Sequence, residues 1–246
     1  MQSLEGRTAV VTGAASGIGL AIAEAFVARG MLVVLADLDR DSLETHSTRL
    51  GSAVQPVVAD VRDPDALELV GQTAVDRFGS LHVAVNNAGI VNGGNSWELP
   101  LEDWRRVMDV NLWGVIHGIR AFVPHILASG EEGHVVNTAS MAAVLPLGRL
   151  GPYTVAKHGV LGLSDVLRAE LVALGAPVGV SVVMPGMIKT GMNPIGTVDA
   201  SVVAANVVDA ILRGRDYVFT DDHHAAEVEA RLEAILAARA DAITSA

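Results

Sequence analysis

Six short apolar runs recur through the chain, at residues 8–12, 32–36, 54–58, 81–86, 135–138 and 178–184, with longer helix-like stretches between them. Each reads as a continuous apolar run and not as an alternation. A strand with one wet face alternates, whereas a strand covered by helices on both faces does not. The pattern therefore predicts a parallel sheet. Punctuation supports the intervening helices: Gly30 and Gly79 suit positions just past helix ends, and Asp63-Pro64 suits an N-cap followed by proline in the first turn. A weaker seventh strand is expected at 217–220, then an Ala-rich amphipathic helix over 225–240. No repeat, linker or low-complexity stretch interrupts the series. The expectation is one doubly wound α/β domain over residues 1–246, with about seven parallel strands and helices on both faces.

Composition narrows the partners. The 28 acidic against 17 basic residues leave a net charge of −11, which repels phosphate backbones and anionic lipid, so nucleic acid and membrane surfaces are poor partners. The absence of cysteine excludes disulfide scaffolds, thiolate metal sites and cysteine nucleophiles together. A mean hydropathy of +0.41 calls for a test of membrane spans. The longest uncharged stretch, 171–188, carries Gly175, Pro177, Gly179, Pro185 and Gly186, which suit buried interior better than a lipid-spanning helix. Glu5 and Arg7 interrupt the first residues and no cleavage-type signal is visible, so a cytoplasmic location is expected.

Between the first strand and first helix stands Thr12-Gly13-Ala14-Ala15-Ser16-Gly17-Ile18-Gly19. Three glycines there let backbone amides approach a pyrophosphate at the positive end of a helix, although a plain tight turn would use the same residues. Asp37 closes the second strand, where a carboxylate suits the two ribose hydroxyls of an adenosine and repels a 2′-phosphate. Neither Ser16 nor Leu38 supplies a cation to attract such a phosphate, so NAD is expected over NADP, with Arg40 the one nearby cation to watch. Asp60-Val61 and Asn86-Asn87-Ala88-Gly89 follow the third and fourth strands. Turn chemistry explains each alone, but together they put small and polar residues at successive carboxyl ends of strands, where open sheets bind ligands.

Tyr153 and Lys157 are four apart on an expected helix and so share a face. An ammonium about 4 Å from a phenolate, at an effective dielectric near 20, favours the charged phenol by roughly 4 kcal/mol, or about three pH units. Such a tyrosine would exchange protons near neutrality. Ser140 ends the fifth strand, where its hydroxyl suits the oxygen of a carbonyl or alcohol, or merely a strand-end cap.

These residues, with Asn111 and Pro185-Gly186-x3-Thr190, stand in an order and spacing that resembles the short-chain dehydrogenase/reductase family over essentially the whole chain. The resemblance implies that Tyr153 is the general acid/base and that Lys157 lowers its pKa and binds the nicotinamide ribose. It implies that Ser140 orients the substrate oxygen and that Asn111 holds a water linking Lys157 to solvent. Pro185, Gly186, Ile188 and Thr190 would position the nicotinamide carboxamide, and Asp60, Val61 and Asn87 would flank adenine and its ribose, with Gly13, Ser16, Gly17, Ile18, Gly19, Asp37, Leu38, Ala88 and Gly89 completing the NAD site. The reaction implied is hydride transfer between NAD(H) and a secondary alcohol or ketone.

Met141, Ala142, Val144, Leu147, Leu150, Met187 and Met192 cluster in the segments by which family members choose substrates. They suggest an apolar pocket for a hydrophobic alcohol or ketone, with Ala142, Leu147, Met187 and Met192 joining Ser140 and Tyr153 in substrate contact; core packing is the competing account. The variable segment, about 187–200, is short for a lid. The helix around 227–238 would cover the site or simply pack. Residues 100–127 read as one helix bent near Pro124, carrying Trp104 and Trp113 as core or subunit contacts. The helix after Pro152 is apolar on two faces, one through Ala156, Val160, Leu163 and Leu167 and one through Val155, Gly159, Gly162, Val166 and Ala173. By resemblance the second face meets another subunit in a homodimer or homotetramer. Asp221-Asp222-His223-His224 reads as solvated turn charges and not a metal site, because neighbouring side chains diverge. Two other functions compete: a non-catalytic NAD(H)-binding regulator, against which the full catalytic set argues, and a carrier-linked ketoacyl reductase, against which Asp37 and the acidic pair Glu131-Glu132 argue.

Overall fold

The computed structural model describes residues 1–244. Seven parallel strands form one sheet: β1 (Thr8–Thr12), β2 (Leu32–Asp37), β3 (Val54–Val58), β4 (Val83–Asn86), β5 (Gly133–Thr138), β6 (Val178–Met184) and β9 (Tyr217–Phe219). Their spatial order is β3-β2-β1-β4-β5-β6-β9. The chain moves outward one way from β1 and then, after β3, returns to start outward the other way at β4. Loops leaving β1 and β4 therefore diverge and open a crevice at their carboxyl ends. The central strands are fully buried, as continuous apolar runs require, but β3 is not: it lies at the sheet edge and is half exposed. Gln55 and Pro56 explain the difference, since a residue without an N–H is tolerated where one side of the strand has no partner.

Helices cover both faces. On one side α1 (Gly17–Val27) and α7 (Ala200–Arg213) bury Ile22, Phe26, Val203, Val207 and Ile211 against Val33, Leu35 and Val183. On the other, α3 (Pro64–Phe78), α5 (Gly114–Ala128) and α6 (Gly151–Ala173) bury Leu67, Val70, Phe122, Ile126 and Leu167 against Val10, Val34 and Val135. Gly79 takes a left-handed φ of 90° and closes α3, while the Asp63 carboxylate caps its start by accepting from the Asp65 N–H. Helix α2 (Arg40–Leu50) follows β2, with Asp39 as its cap.

Four expectations need correction. Residues 100–127 are not one helix: α4 (Leu101–Met108) passes into a single wide π turn, Asp109–Trp113, before α5 begins, so the irregularity falls at Asn111 and Pro124 lies inside α5. The 171–188 stretch is not all interior, because Val172 is 73% and Leu174 70% exposed at the end of α6, although β6 itself is deeply buried. The segment after Pro185-Gly186 carries a parallel pair of two-residue strands, β7 (Ile188–Lys189) and β8 (Val198–Asp199), too short to leave a periodic signal. Finally Glu131-Glu132 precede β5, at the opposite end of the sheet from the crevice, where Glu131 pairs with Arg7. That pair has no bearing on a carrier docking at the crevice.

Candidate active site

The crevice is a cleft of about 760 Å³ running from the glycine loop to the residues after β5 and β6. At the loop end Gly13 and Gly17 adopt φ of +66° and +54°. A Cβ on Gly19 would lie 2.1 Å from the Gly13 carbonyl oxygen, so this glycine lets α1 pack on the turn and does not itself line the cleft. Ser16 stands at the head of α1 without capping it through its side chain, which leaves the first amides of the helix for an incoming anion. The Asp37 carboxylate lines the cleft, bracing the loop by accepting from the Ala15 N–H at 3.0 Å and from the Asp39 N–H at 3.2 Å. Leu38, 62% exposed, lies beside it.

Asp60, Val61, Asn87, Ala88 and Gly89 line the next stretch. Asp60 is held by Arg62, whose guanidinium keeps the carboxyl below its ordinary range. Asn87 ties β4 to β1 by donating to the Thr12 carbonyl at 3.1 Å. Asn111 is fully buried in the π turn, behind the cleft wall. Its amide is committed to one residue, accepting from the Ile90 N–H and donating to the Ile90 carbonyl, both at 2.8 Å.

Beyond lies the set Ser140, Tyr153 and Lys157, all on the cleft wall. Ser140 ends the run out of β5; its hydroxyl accepts from the Ala142 N–H, donates to the Pro185 carbonyl at 3.4 Å and lies near the Tyr153 phenol. The first turns of α6 put Tyr153 and Lys157 on one face, with the Lys157 Nζ 5.6 Å from the phenol ring centre. Lys157 is 3% exposed and donates to the Thr138 carbonyl at 2.7 Å. Burial alone lowers its ammonium to about 8. Burial also raises Tyr153, an effect that outweighs the lowering from the neighbouring Ser140 hydroxyl. The amine by itself thus does not bring the phenol toward neutrality as its spacing suggested, because desolvation acts on both groups.

Pro185, Gly186, Met187, Ile188, Thr190 and Met192 also line the cleft, as do Leu147 and Leu150. Ala142 does not join them. It is fully buried in the short 3₁₀ turn after Ser140, as is Met141 nearby, so these are core residues. Several cleft residues escaped the sequence reading, among them Ile90, Val91, Val110 and Arg106. The first two directly follow Asn87-Ala88-Gly89 and Val110 precedes Asn111, so neighbourhood to a motif was the available signal. Among the described residues, helix α8 (Ala225–Thr244) contributes none to the cleft; its Val228 joins the buried cluster that holds Met141 and Val160, and Arg231 donates to the Val144 carbonyl at 2.9 Å.

Residues 7–197 match the family profile described as short chain dehydrogenase. This chain belongs to the short chain dehydrogenase family. It is 40% identical over 233 residues to a 1-deoxy-11-beta-hydroxypentalenate dehydrogenase from Streptomyces exfoliatus, covering 89% of this chain and 84% of that one. Among solved structures it is similar to a short chain dehydrogenase/reductase from Burkholderia phymatum in complex with NAD, at 34% identity, TM-score 0.92 and 96% coverage of both chains. A second is a 3-ketoacyl-(acyl-carrier-protein) reductase from Brucella melitensis complexed with NADH, at 28% identity and TM-score 0.83, covering 90% of this chain and 99% of that one. The chain is accordingly an oxidoreductase of this family, on the seven-stranded doubly wound sheet that its sequence predicts.

Proposed function

We propose that this enzyme moves a hydride between NAD(H) and a hydrophobic secondary alcohol or ketone, with Tyr153 as the acid/base. The observation that carries this reading is the joining of Ser140, Tyr153 and Lys157 on one wall of a cleft whose other end is a side-chain-free glycine cradle beside a carboxylate. That cradle fits a dinucleotide: glycine backbone and the α1 amides meet the pyrophosphate, Asp37 meets the adenosine ribose and excludes a 2′-phosphate, and Val61 and Ala88 flank adenine. The relatives solved with NAD and NADH support the choice of cofactor.

NAD, when bound, supplies a cationic nicotinamide that accepts the hydride. Tyr153 removes the hydroxyl proton of the alcohol, or returns it in the reverse direction. Ser140 donates to the same substrate oxygen and fixes it beside the phenol. Lys157, held by Thr138, supplies positive charge next to the phenolate; since burial raises Tyr153, that charge and the cofactor's together must provide the lowering. Asn111, its side chain committed to Ile90, serves the proton relay through the main chain of its wide turn. Leu147, Leu150, Met187 and Met192 give the substrate an apolar wall, which is why a hydrophobic alcohol is favoured.

The second face of α6, with Val155 48% and Val166 54% exposed, supports assembly through this helix into a dimer or tetramer. No helix among the described residues is long and apolar enough to cross a membrane, which supports a cytoplasmic enzyme. The functional reading is tested by following NADH absorbance while a panel of secondary alcohols and ketones is offered with NAD or NADH. Turnover on bulky apolar members is expected; silence across the panel with intact NADH binding would favour a non-catalytic regulator.

A further inference from the structure

The run Asp221-Asp222-His223-His224 looks like solvated turn charge in the sequence, yet the Asp221 side chain is only 7% exposed. The reason is topological. Strand β9 pairs in parallel with β6, Met184 opposite Phe219, so the residues that continue each strand, Pro185-Gly186 and Thr220-Asp221, leave the sheet side by side. The Gly186 N–H donates to the Thr220 hydroxyl at 3.2 Å, and that hydroxyl donates to the Asp221 carboxylate at 3.3 Å. The other carboxylate oxygen accepts from the His223 N–H at 3.3 Å and lies 3.4 Å from His223 Nδ1. On its far side the same turn is pinned through the Pro185 carbonyl, which accepts from the Met141 N–H at 3.0 Å and from the Ser140 hydroxyl.

Contact between Asp221 and the turn is tight. A Cβ on Gly186 would fall 2.2 and 2.4 Å from the two carboxylate oxygens. Gly186 is absent from the glycines with positive φ, so its backbone does not demand glycine; the carboxylate does. A buried charge pressed on a backbone turn is costly unless it is hydrogen-bonded, and here its hydrogen bonds lead into that turn through Thr220.

We propose that Asp221 is a positioning residue for hydride transfer: through Thr220 and direct contact with Gly186, it fixes the turn that presents the nicotinamide to Tyr153. This rests on the reading above that Pro185 to Thr190 holds the nicotinamide. It assigns no ligand to Asp221 and no proton.

The test compares two probes on the full-length protein, NADH and ADP-ribose, the latter lacking only the nicotinamide ring. In Asp221→Ala the NADH dissociation constant should rise by about tenfold, the effect of one net hydrogen bond with a charged partner, while that of ADP-ribose stays unchanged. The near-isosteric Asp221→Asn should show the same selectivity at smaller size. Gly186→Ala should weaken NADH further, and adding Asp221→Ala to it should recover part of the loss by making room for the new methyl. NADH and ADP-ribose weakening in parallel, Asp221 variants that move neither, or a Gly186→Ala defect indifferent to Asp221→Ala would each overturn the role. Gly186→Val reports on the underlying reading separately. Unchanged NADH affinity there would remove the nicotinamide from this turn, whereas loss of NADH with unmoved Asp221 variants would overturn only the part given to Asp221.

Discussion

Replacing Lys157 with methionine should stabilise the fold while destroying the enzyme. The ammonium is 3% exposed, and burial lowers it from 10.5 to about 8. At about 1.36 kcal/mol per pH unit, keeping it charged in that site costs about 3 kcal/mol at neutral pH. Its bond to the Thr138 carbonyl returns about 1 kcal/mol, so Lys157→Met, similar in length and free of charge, should be more stable by about 2 kcal/mol. The sign with pH follows from which state holds the proton. Below about 8 both folded and unfolded lysine are protonated and the cost is full. From about 8 up to 10.5 the unfolded chain binds the proton and the folded one does not, so native stability rises with pH and the advantage of the variant shrinks. The assay is guanidinium unfolding of both proteins at one shared concentration, because any subunit assembly makes stability concentration-dependent, at pH 7 and pH 10. A variant less stable at pH 7, or a gap that does not narrow by pH 10, would refute the reasoning.

Three further outcomes follow from the same geometry. Asp37→Ala should narrow the preference for NAD over NADP by about tenfold in the ratio of kcat/KM values, since a carboxylate facing the ribose is what opposes a 2′-phosphate; an unchanged ratio would remove it from that role. Gly19→Ala puts a methyl 2.1 Å from the Gly13 carbonyl, so NADH binding should fail and stability drop by about 2 kcal/mol, as read by fluorescence titration and thermal melting. His134, buried against Ser181, is lowered to about 3 from 6.5 by desolvation. Its contribution is therefore present above pH 6.5 and lost as pH falls toward 3, at up to about 1.4 kcal/mol per pH unit. Unfolding of wild type and His134→Gln across that window should show the two converging in stability as the solution becomes more acid.

The sheet was legible because its central strands are buried on both faces, so Val10, Val34, Val85 and Val136 leave no polar interruption in their runs. Strand β3 blurs that signal because it is an edge, and the pair β7 and β8 has no periodicity to show. The chemical residues were legible because each sits at a strand end or on one helix face, positions that spacing specifies. Side-chain direction was not. Ala142 and Met141 follow Ser140 as Met187 follows Gly186, but the 3₁₀ turn sends the first two into the core. The π turn at Asn111 is likewise hidden, because a helix with one extra residue in a turn keeps nearly the same apolar pattern. Burial energetics also lay outside the reach of spacing. The distance between Tyr153 and Lys157 suggested a large lowering of the phenol, and the desolvation that opposes it is a property of the folded wall around them.

The catalytic assignment is tested most directly by Tyr153→Phe, which deletes one oxygen and leaves the ring. Paired measurements on that variant would be turnover of whichever secondary alcohol the wild-type enzyme oxidises, and NADH affinity by fluorescence titration. The account predicts turnover reduced by at least about a thousandfold with the dissociation constant for NADH nearly unchanged. Near-normal turnover in the phenylalanine variant would contradict it.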